Sequence, residues 1–472
     1  LRLRETKDGV KSERIVFLDT KGDYPHNGLA GLCFDSRGDL TFGMGENLGA
    51  KYTLIGSDGV KFTGEGDGGQ IFHCTADGKQ LRKVATGFWN PFGICRDIYG
   101  RVFAVDNDPD QAPPCRMLHV VEGGDYGFRF MYGRSGKHPF QSWHGELPGT
   151  LPMMTGVGEA PCEILSYESD GLPAEYLGQL LVTSWADHRV ERYKVVPHGA
   201  SFKAERLPFV QGPSDFRPTG MCIAPDGSLY VCDWVKSDYT LHGKGAIWRI
   251  RWKDAPKAER PDDPKKAILS MHRPLREAAA KRLVGGDRAF LSRLVENGEP
   301  RVRATSLQAL IDVGDKAINL ETMAKDANAE TGLREIALRG MVRRSEKVMA
   351  FLDTKAPPSL QREALAGVEA DLVNEIAQDF WFSAIAHHDP FFRHAAIQRL
   401  GTSPKTVLLN KYGPPRQVAG HLLVLKLLYP NGVLRGQPPV RFLESHYLHH
   451  DDETIRFLAV KWIADEKLAD YR

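Results

Sequence analysis

Hydrophobic and polar positions follow two different periods along this chain, and the change falls near residue 251. Before it, short runs alternate, as in Gln70–Cys74 (Q-I-F-H-C), Arg101–Val105 (R-V-F-A-V) and Ala246–Ile250 (A-I-W-R-I). Gly- and Asp-rich turns separate them, so the runs predict strands. One phrase recurs: G-L-C-F-D-S-R-G-D-L at Gly31–Leu40, G-I-C-R-D-I-Y-G-R-V at Gly93–Val102 and G-M-C-I-A-P-D-G-S-L at Gly220–Leu229. A glycine, a cysteine, a turn glycine and an aliphatic residue keep register in each copy. A weaker copy surrounds Cys162, where P-A-E-Y-L-G-Q-L-L-V lengthens the turn. The spacing of roughly 60–65 residues exceeds the ~40–50 of common propeller repeats. Each copy predicts a strand, a turn and a returning strand. Antiparallel units of this kind close best into a ring, so residues 1–252 predict a β-propeller with about four blades visible.

Beyond Arg251 the pattern becomes helical. L-R-E-A-A-A-K-R-L (from Leu275), V-R-A-T-S-L-Q-A-L (Val302), L-R-E-I-A-L-R-G-M (Leu333), Q-R-E-A-L-A-G-V (Gln361) and F-R-H-A-A-I-Q-R-L (Phe392) share one plan. An arginine precedes aliphatic residues that form one stripe on a helix. I-R-F-L-A-V-K-W-I at Ile455 reads as a last copy. Units about 30 residues long that bury a stripe only against a neighbour stack into a solenoid, here similar to HEAT repeats. The predicted fold class is therefore mainly β plus α: a partial propeller of six-bladed type (1–252), a charged Pro-rich linker (253–266) and a HEAT-like α-solenoid (267–472). Arg276, Arg303, Arg334, Arg362 and Arg393 are expected to pair within their own repeats. H-H-D at His387–Asp389 and H-H-D-D at His449–Asp452 are expected to cap helices through aspartate. The solenoid is expected to dock a protein partner.

Composition narrows the function classes. Apolar residues make up 42% and charged residues 26% of the 472 positions, ordinary for a globular protein. A net charge of +2 gives no electrostatic footprint for nucleic acid. No apolar run is long enough to cross a bilayer. Seven cysteines, several flanked by apolar residues, predict buried free thiols. Without C-x-x-C or C-x-x-C-H, neither a zinc cluster nor c-type haem is expected. G-E-G-D-G-G (Gly64–Gly69) lacks the Lys-Ser/Thr ending of a phosphate loop and precedes a strand. The chain starts at Leu1 without a leader pattern and stops after A-D-Y-R, and is read as a piece of a longer protein.

A ring of sheets gathers polar residues at one mouth. The candidates are His26, Glu46, Asn90, the acidic run Asp106–Asp110, Trp185, Asp187, His188, Arg217, Asp233 and Trp234. The run from His26 to Tyr132 resembles the soluble quinoprotein sugar dehydrogenases of the glucose/sorbosone group. The resemblance rests on H-N-G-L-A-G-L-C-F-D-S-R-G-D-L-T-F-G-M-G-E, G-Q-I-F-H-C-T-A-D-G-K, A-T-G-F-W-N-P-F-G-I and V-V-E-G-G-D-Y-G-F-R-F. With its helical tail the chain looks closer still to bacterial proteins labelled "membrane-bound dehydrogenase", common in planctomycete-type genomes. Members often continue into a haem-binding C-x-x-C-H domain, which this chain does not reach.

The resemblance implies a six-bladed propeller that uses pyrroloquinoline quinone (PQQ) with Ca²⁺. It makes His26 the general base and Glu46 the carboxylate that orients it. Asn90, Asn107, Thr183, Trp185 and Arg217 would line the cofactor, with Arg217 on its carboxylates. Asp106, Asp108, Pro109 and Asp110 would supply oxygen ligands to Ca²⁺. Trp89 stands where the family places a cation. The expected substrate is a sugar or other alcohol, and the acceptor a separate protein, plausibly a cytochrome. The expected compartment is periplasmic or extracytoplasmic. Two other functions fit the residues: a non-catalytic carbohydrate-binding or docking scaffold, with Trp89, Trp185 and Trp234 stacking on sugar, and a Ca²⁺-dependent hydrolase of lactonase type.

Overall fold

The computed structural model describes residues 2–24, 28–353, 355–403, 413–428, 443 and 446–468. They fall into two units: residues 1–143, 153–197 and 202–319 form the first, and residues 144–152, 198–201 and 320–472 the second.

The first unit is built on consecutive sheets whose strands are antiparallel, save that the strand Gly124–Asp125 joins the strand Arg82–Phe88 in parallel. A hairpin of β1 (Arg2–Thr6) and β2 (Gly9–Glu13) precedes a three-stranded sheet of β3 (Val16–Thr20), β6 (Tyr52–Gly56) and β7 (Lys61–Gly64). Sheet I holds β4 (Leu29–Phe34), β5 (Leu40–Met44), β8 (Gly69–Cys74), β9 (Arg82–Phe88) and β13 (Gly124–Asp125). Sheet II holds β10 (Asn90–Arg96), β11 (Val102–Asn107), β12 (Arg116–Val120) and β14 (Thr155–Gly156). Sheet III holds β15 (Pro161–Ser166), β16 (Leu180–Ser184), β17 (Arg189–His198) and β18 (Ser201–Gln211). Sheet IV holds β19 (Pro218–Ile223), β20 (Leu229–Asp233) and β21 (Ala246–Ile250).

The repeated phrase makes the same turn each time. In 35–39, 97–101 and 224–228 the first residue's N–H donates to the carbonyl of the fifth (2.9, 3.1 and 2.8 Å), and the glycine N–H donates back to the first (3.0, 3.1 and 2.9 Å). The turn glycines sit at φ +90°, +79° and +81°, where a Cβ would be strained. Each leading strand also carries a register shift near its start, at Ala30/Cys33, Pro91/Gly93, Pro161/Glu163 and Pro218/Gly220. This corrects the weak copy. Leu165, not Cys162, occupies the position of Cys33, Cys95 and Cys222, because residues 167–179 replace the short turn.

The leading strands lie side by side: β10 packs on β4 and on β15, and β15 on β19. A Cβ on Gly93 would stand 2.8 Å from Ile164 N and 2.9 Å from Glu163 Cα, so the approach of β10 to β15 requires glycine. Between the sheets run apolar layers. Cys95, Phe103, Val105, Met117, Ile164, Leu180 and Val182 fill the space between II and III. Leu181 and Val190 of sheet III meet Leu229 and Val231 of sheet IV. Leu180, Leu181 and Val182 thus point to alternate faces, and both faces are buried. The end sheets are less covered: Leu32 and Phe34 are 65% and 64% exposed, and Ile247 and Trp248 71% and 52%. For the same reason Cys222 and Cys232 are exposed, which corrects the expectation of buried thiols there.

A fully buried ion pair ties sheet I to sheet II. Arg116 reaches Asp106 Oδ2 through Nε (3.0 Å) and Nη2 (2.9 Å), and donates to the carbonyls of Tyr126 (2.8 Å), Trp143 (2.6 Å) and Gly87 (2.8 Å). Its guanidinium carbon lies 3.5 Å from the centre of the Trp143 ring. Asp106 also accepts from the N–H groups of Asn90 (2.7 Å) and Trp89 (3.3 Å).

Among the described residues, helices α1 (Pro264–Ala267), α2 (Arg273–Gly286), α3 (Arg288–Asn297) and α4 (Pro300–Asp312) complete this unit. Arg273 donates to Arg96 O (2.7 Å), Arg301 to Glu168 (2.7 Å), and Arg260 of the charged segment pairs with Asp170 (2.7 Å). The second unit holds α5 (Leu320–Lys325), α6 (Thr331–Arg343), α7 (Pro358–Gly367), α8 (Gln378–Ile385), α9 (Pro390–Gly401), α10 (Pro415–Leu428) and α11 (Glu453–Asp465); α6 packs on α5 and α7, α9 on α7, α8 and α10, and α11 on α10. Three of the repeat arginines serve their own loops: Arg303 donates to Val295 O (2.8 Å), Arg334 to Ala324 O (2.9 Å) and Arg393 to His387 O (2.5 Å). The other two correct the expectation, because Arg276 also donates to Thr305 Oγ1 of the next repeat (3.1 Å) and Arg362 donates to Ala200 O of the β17–β18 turn (2.9 Å). Asp389 and Asp452 cap α9 and α11, each accepting two backbone N–H groups.

Replacing Asp106 with asparagine would leave Arg116 buried without a counter-charge, a change that costs about 3–5 kcal/mol. Asp106→Asn is therefore expected to lower the urea midpoint of the first unit sharply. An unchanged midpoint would show that the pair is not the clamp between sheets I and II.

Candidate functional site

The shared registers put equivalent residues at one end of each leading strand. Gly45 N–H donates to Gly28 O (3.2 Å), Asn107 pairs with Asn90, Trp185 N–H donates to Ala160 O (3.1 Å) and Trp234 N–H to Arg217 O (2.9 Å). The leading strands stay in step, because Gly31 lies against Phe92 and Ile94 while Gly93 lies against Glu163 and Ile164. Their starts therefore gather along one rim, together with Glu46, Asn90, Asn107, Asp108, Trp185 and Arg217. His26 lies outside the described residues.

Several expected site residues are committed to structure. Asp106, expected to bind a cation, is the partner of Arg116 and is 0% exposed. Burial pushes its carboxyl up to about 6 against the opposing pull of Arg116. Asp233, at the equivalent place in sheet IV, accepts from Arg217 N (2.7 Å), Val235 N (2.9 Å) and Trp248 Nε1 (2.8 Å). Both carboxylates thus close a strand end. Thr183 Oγ1 accepts from Glu163 N (2.9 Å) at the bulge of sheet III. Glu46 accepts from Gly49 N (2.7 Å) and Gly68 N (2.9 Å), and burial raises its carboxyl. Pro109 is buried. Asp110 is exposed and pairs with Arg134 at 2.6 Å.

Trp89 also differs from expectation. Only 3% exposed, it packs with Tyr24, Phe128 and Phe130 and offers no platform for sugar. The Arg134 guanidinium lies 5.2 Å from its ring centre and 5.5 Å from that of Tyr24. A cation therefore reaches this position from a distant part of the chain.

The residues left open form two groups. In the first, Asn90 and Asn107 are opposed on β10 and β11, so their side chains share a face. Val105, two residues before Asn107, belongs to the layer between sheets II and III, so that face is turned to sheet III. Asn90 is 1% exposed, and neither its amide oxygen nor its amide nitrogen has a partner among the described residues. Asn107 Oδ1 has none either. Beside them Asp108, Cys115 and Glu159 bring a ligand atom each within 4.8 Å of the others. Cys115 Sγ lies 3.4 Å from Asp108 Oδ1 and 3.6 Å from Glu159 Oε2. Burial, then the charge of Glu159, holds this thiol protonated. Burial and Asp108 raise the carboxyl of Glu159. Two carboxylates with amide oxygens suit a hard cation such as Ca²⁺, and a protonated thiol does not join that set.

The second group is Arg217 and its neighbours. Its guanidinium stacks 4.3 Å from the Trp185 ring centre, and Trp185 stacks on Tyr239 with centroids 5.9 Å apart. Arg217 Nη1 reaches Trp185 O at 3.4 Å, and its Nε is buried without a partner among the described residues. A flat anionic group fits such donors beside an aromatic face.

Glu159 was missed by sequence reasoning, though a signal existed. Gly158-Glu159-Ala160-Pro161 aligns with Phe88-Trp89-Asn90-Pro91 and Asp215-Phe216-Arg217-Pro218. Glu163 was missed too. It takes the place of Gly93 and Gly220, and Cys33, Cys95 and Cys162 lie within its electrostatic reach. Burial pushes its carboxyl up to about 7 from 4.5. The folded chain then holds a proton on Glu163 up to about pH 7, while the unfolded chain releases it near 4.5. Stability falls as pH rises through that window, by about 3 kcal/mol, and the cost is complete above it. Glu163→Gln is expected to flatten the fall and raise the urea midpoint at pH 8 relative to the parent. Equal midpoints at pH 8 would remove this assignment.

A family model described as Domain of unknown function (DUF7133) matches residues 5–244. No curated protein matches the chain. Among solved structures, one described as an oxidoreductase (glucose dehydrogenase) from Thermus thermophilus is 15% identical, with a TM-score of 0.34, covering 52% of this chain and 88% of that one. The holo PQQ domain of pyranose dehydrogenase from Coprinopsis cinerea is 13% identical, with a TM-score of 0.24 and coverages of 47% and 95%. A gluconolactonase from Xanthomonas campestris is 15% identical, with a TM-score of 0.20 and coverages of 46% and 73%. The family model spans more than half of the chain, and the chain accordingly belongs to the DUF7133 family.

Proposed function

We propose that the sheets of the first unit are blades of a β-propeller, that the helices form a HEAT-like solenoid, and that the rim oxidises a hydroxyl of a sugar or similar alcohol with a quinone cofactor. One observation carries this reading: the side-chain amide of Asn90, buried with both polar atoms unpartnered among the described residues, beside the carboxylates of Asp108 and Glu159. Buried polar atoms are rarely left unsatisfied, and an unsatisfied amide here favours a ligand.

In this reading Asp108 and Glu159 hold Ca²⁺ with help from the Asn107 amide oxygen. Arg217 would hold the carboxylates of PQQ, with Trp185 keeping its guanidinium in place. Such a quinone, beside a divalent cation, would supply the two-electron acceptor. Asn90 orients a polar atom of the bound group. Arg134, held by Asp110 over Trp89, adds the positive charge that the residue before Asn90 lacks. His26 takes the hydroxyl proton, since an imidazole near neutrality can accept it at working pH.

The test is a titration of the full chain with PQQ, with and without Ca²⁺, followed by absorbance and then by dye reduction with glucose. A saturable, Ca²⁺-dependent spectral shift is expected. Arg217→Ala should weaken quinone binding about tenfold or more, the loss of a charged hydrogen-bonded contact. Asp108→Asn should remove the Ca²⁺ dependence, and His26→Ala should cut turnover by about 10²–10⁴ without moving the spectrum. Absence of any spectral shift at saturating Ca²⁺ would refute the reading, and hydrolysis of gluconolactone without quinone would replace it with a hydrolase.

A further inference from the structure

A second cavity, of about 200 Å³, opens at the opposite rim, where the turn 97–101, the loop 167–179 and the start of α4 meet. It is separate from the candidate site, which lies at the other end of the leading strands. One wall carries Glu168 and Arg301, and the others Phe103, Leu180, Val195 and Phe202. Glu168 is 1% exposed. Its Oε2 accepts from Arg301 Nε (2.7 Å), while its Oε1 is buried with no partner among the described residues. Burial raises its carboxyl, and Arg301 opposes the rise. Arg301 uses only Nε, so its two terminal nitrogens have no protein partner among the described residues.

The lining places an acceptor and a donor together. Glu168 Oε1 and Arg301 Nη2 each lie 3.5 Å from the point where a Cβ on Gly178 would stand. With glycine at 178, which also lines the cavity, no side chain packs on these two atoms from that position. Arg101 and Asp97, also at the wall, are 3.5 Å apart and offset each other's charge. The Arg101 guanidinium lies over the Phe202 ring, 4.7 Å from its centre, which fixes the ring at the wall.

We propose that this cavity binds a small zwitterion, an α-amino acid with an apolar side chain. Its ammonium satisfies Glu168 Oε1 and its carboxylate takes the terminal nitrogens of Arg301. Both contacts are charge-assisted, roughly twice as strong as neutral ones, and no net charge enters. A ligand with one charge would leave either the buried Glu168 Oε1 or the part-exposed terminal nitrogens of Arg301 unmatched. The side chain lies between Phe103, Phe202, Leu180 and Val195. The volume sits below the ~300–1,000 Å³ of drug-sized pockets and sets the limit on ligand size.

The test is calorimetric titration of the full chain with L-leucine, and with leucinamide, 4-methylpentanoate and glucose as comparators. Saturable binding of leucine is expected, with the three comparators at least tenfold weaker. Glu168→Gln should weaken leucine at least tenfold. Val195→Trp, which fills the cavity and leaves the polar pair alone, should abolish binding with the melting profile retained, and it decides the matter if Glu168→Gln fails to fold. Leucine should leave the PQQ titration unchanged, so the two sites succeed or fail independently. No heat with leucine at millimolar concentration, equal binding in both variants, or equal binding of glucose or a singly charged comparator would overturn the proposal.

Discussion

The pairing of Arg116 with Asp106 sets the geometry on which the rim depends. A guanidinium taken wholly out of water must satisfy every donor, and Arg116 does so with one carboxylate and three carbonyls drawn from Gly87, Tyr126 and Trp143. Those carbonyls lie in three separate stretches of chain, so the pair fixes their mutual positions. The same carboxylate holds the N–H groups of Trp89 and Asn90. The strand carrying the orphaned amide of Asn90 therefore starts where the ion pair places it. Asp233 repeats half of this device in sheet IV, with a tryptophan indole in place of the guanidinium.

Glycine at the close approaches does the complementary work. Gly31 and Gly93 let neighbouring leading strands come near enough to stay in register, and register brings the strand starts to one rim. Sheet III breaks the pattern at Glu163, whose side chain sits where its neighbours have a hydrogen. A carboxyl in such a place is a departure from uniform packing, and departures of this kind concentrate at functional positions. In sheet III the long loop 167–179 also replaces the tight turn. That loop carries Glu168 and Gly178, the two residues that open the second cavity.

Much of this was legible in the sequence because it is local. The turn glycines, the strand–turn–strand units, the change to a helical period near residue 251 and the aspartate caps at Asp389 and Asp452 all follow from a few adjacent residues. The site was legible only in outline. Asp106 reads as one member of an acidic run, and nothing nearby shows that Arg116 will claim it after a turn brings β12 alongside β11. Cys162 fits the cysteine spacing, but register assigns its expected place to Leu165. Trp89 reads as an exposed stacking residue until Tyr24, Phe128 and Phe130 close around it. In each case the deciding partner lies on another strand, and side-chain direction across a sheet is not written in spacing.

The charges left over at the rim argue for the character of its ligand. Asp108 and Glu159 present negative charge on the side facing sheet III, while Arg217 and Arg134 present positive charge on either flank. Glu159 stands at the place that Trp89 takes in sheet II and Phe216 in sheet IV, so the carboxylate replaces the aromatic residue of those two sheets. Burial raises the carboxyl of Glu159, and the nearby charge of Asp108 adds to the rise. In the proposed reading a bound divalent cation would offset that charge and give the Asn107 amide oxygen a partner, while Asn90 would meet a polar atom of the other occupant. An anionic cofactor would then find a cation on both sides, from the metal and from Arg217. In the proposed reading, the close carboxylates, the unpartnered amide of Asn90 and the buried Nε of Arg217 would each gain a partner from these two occupants.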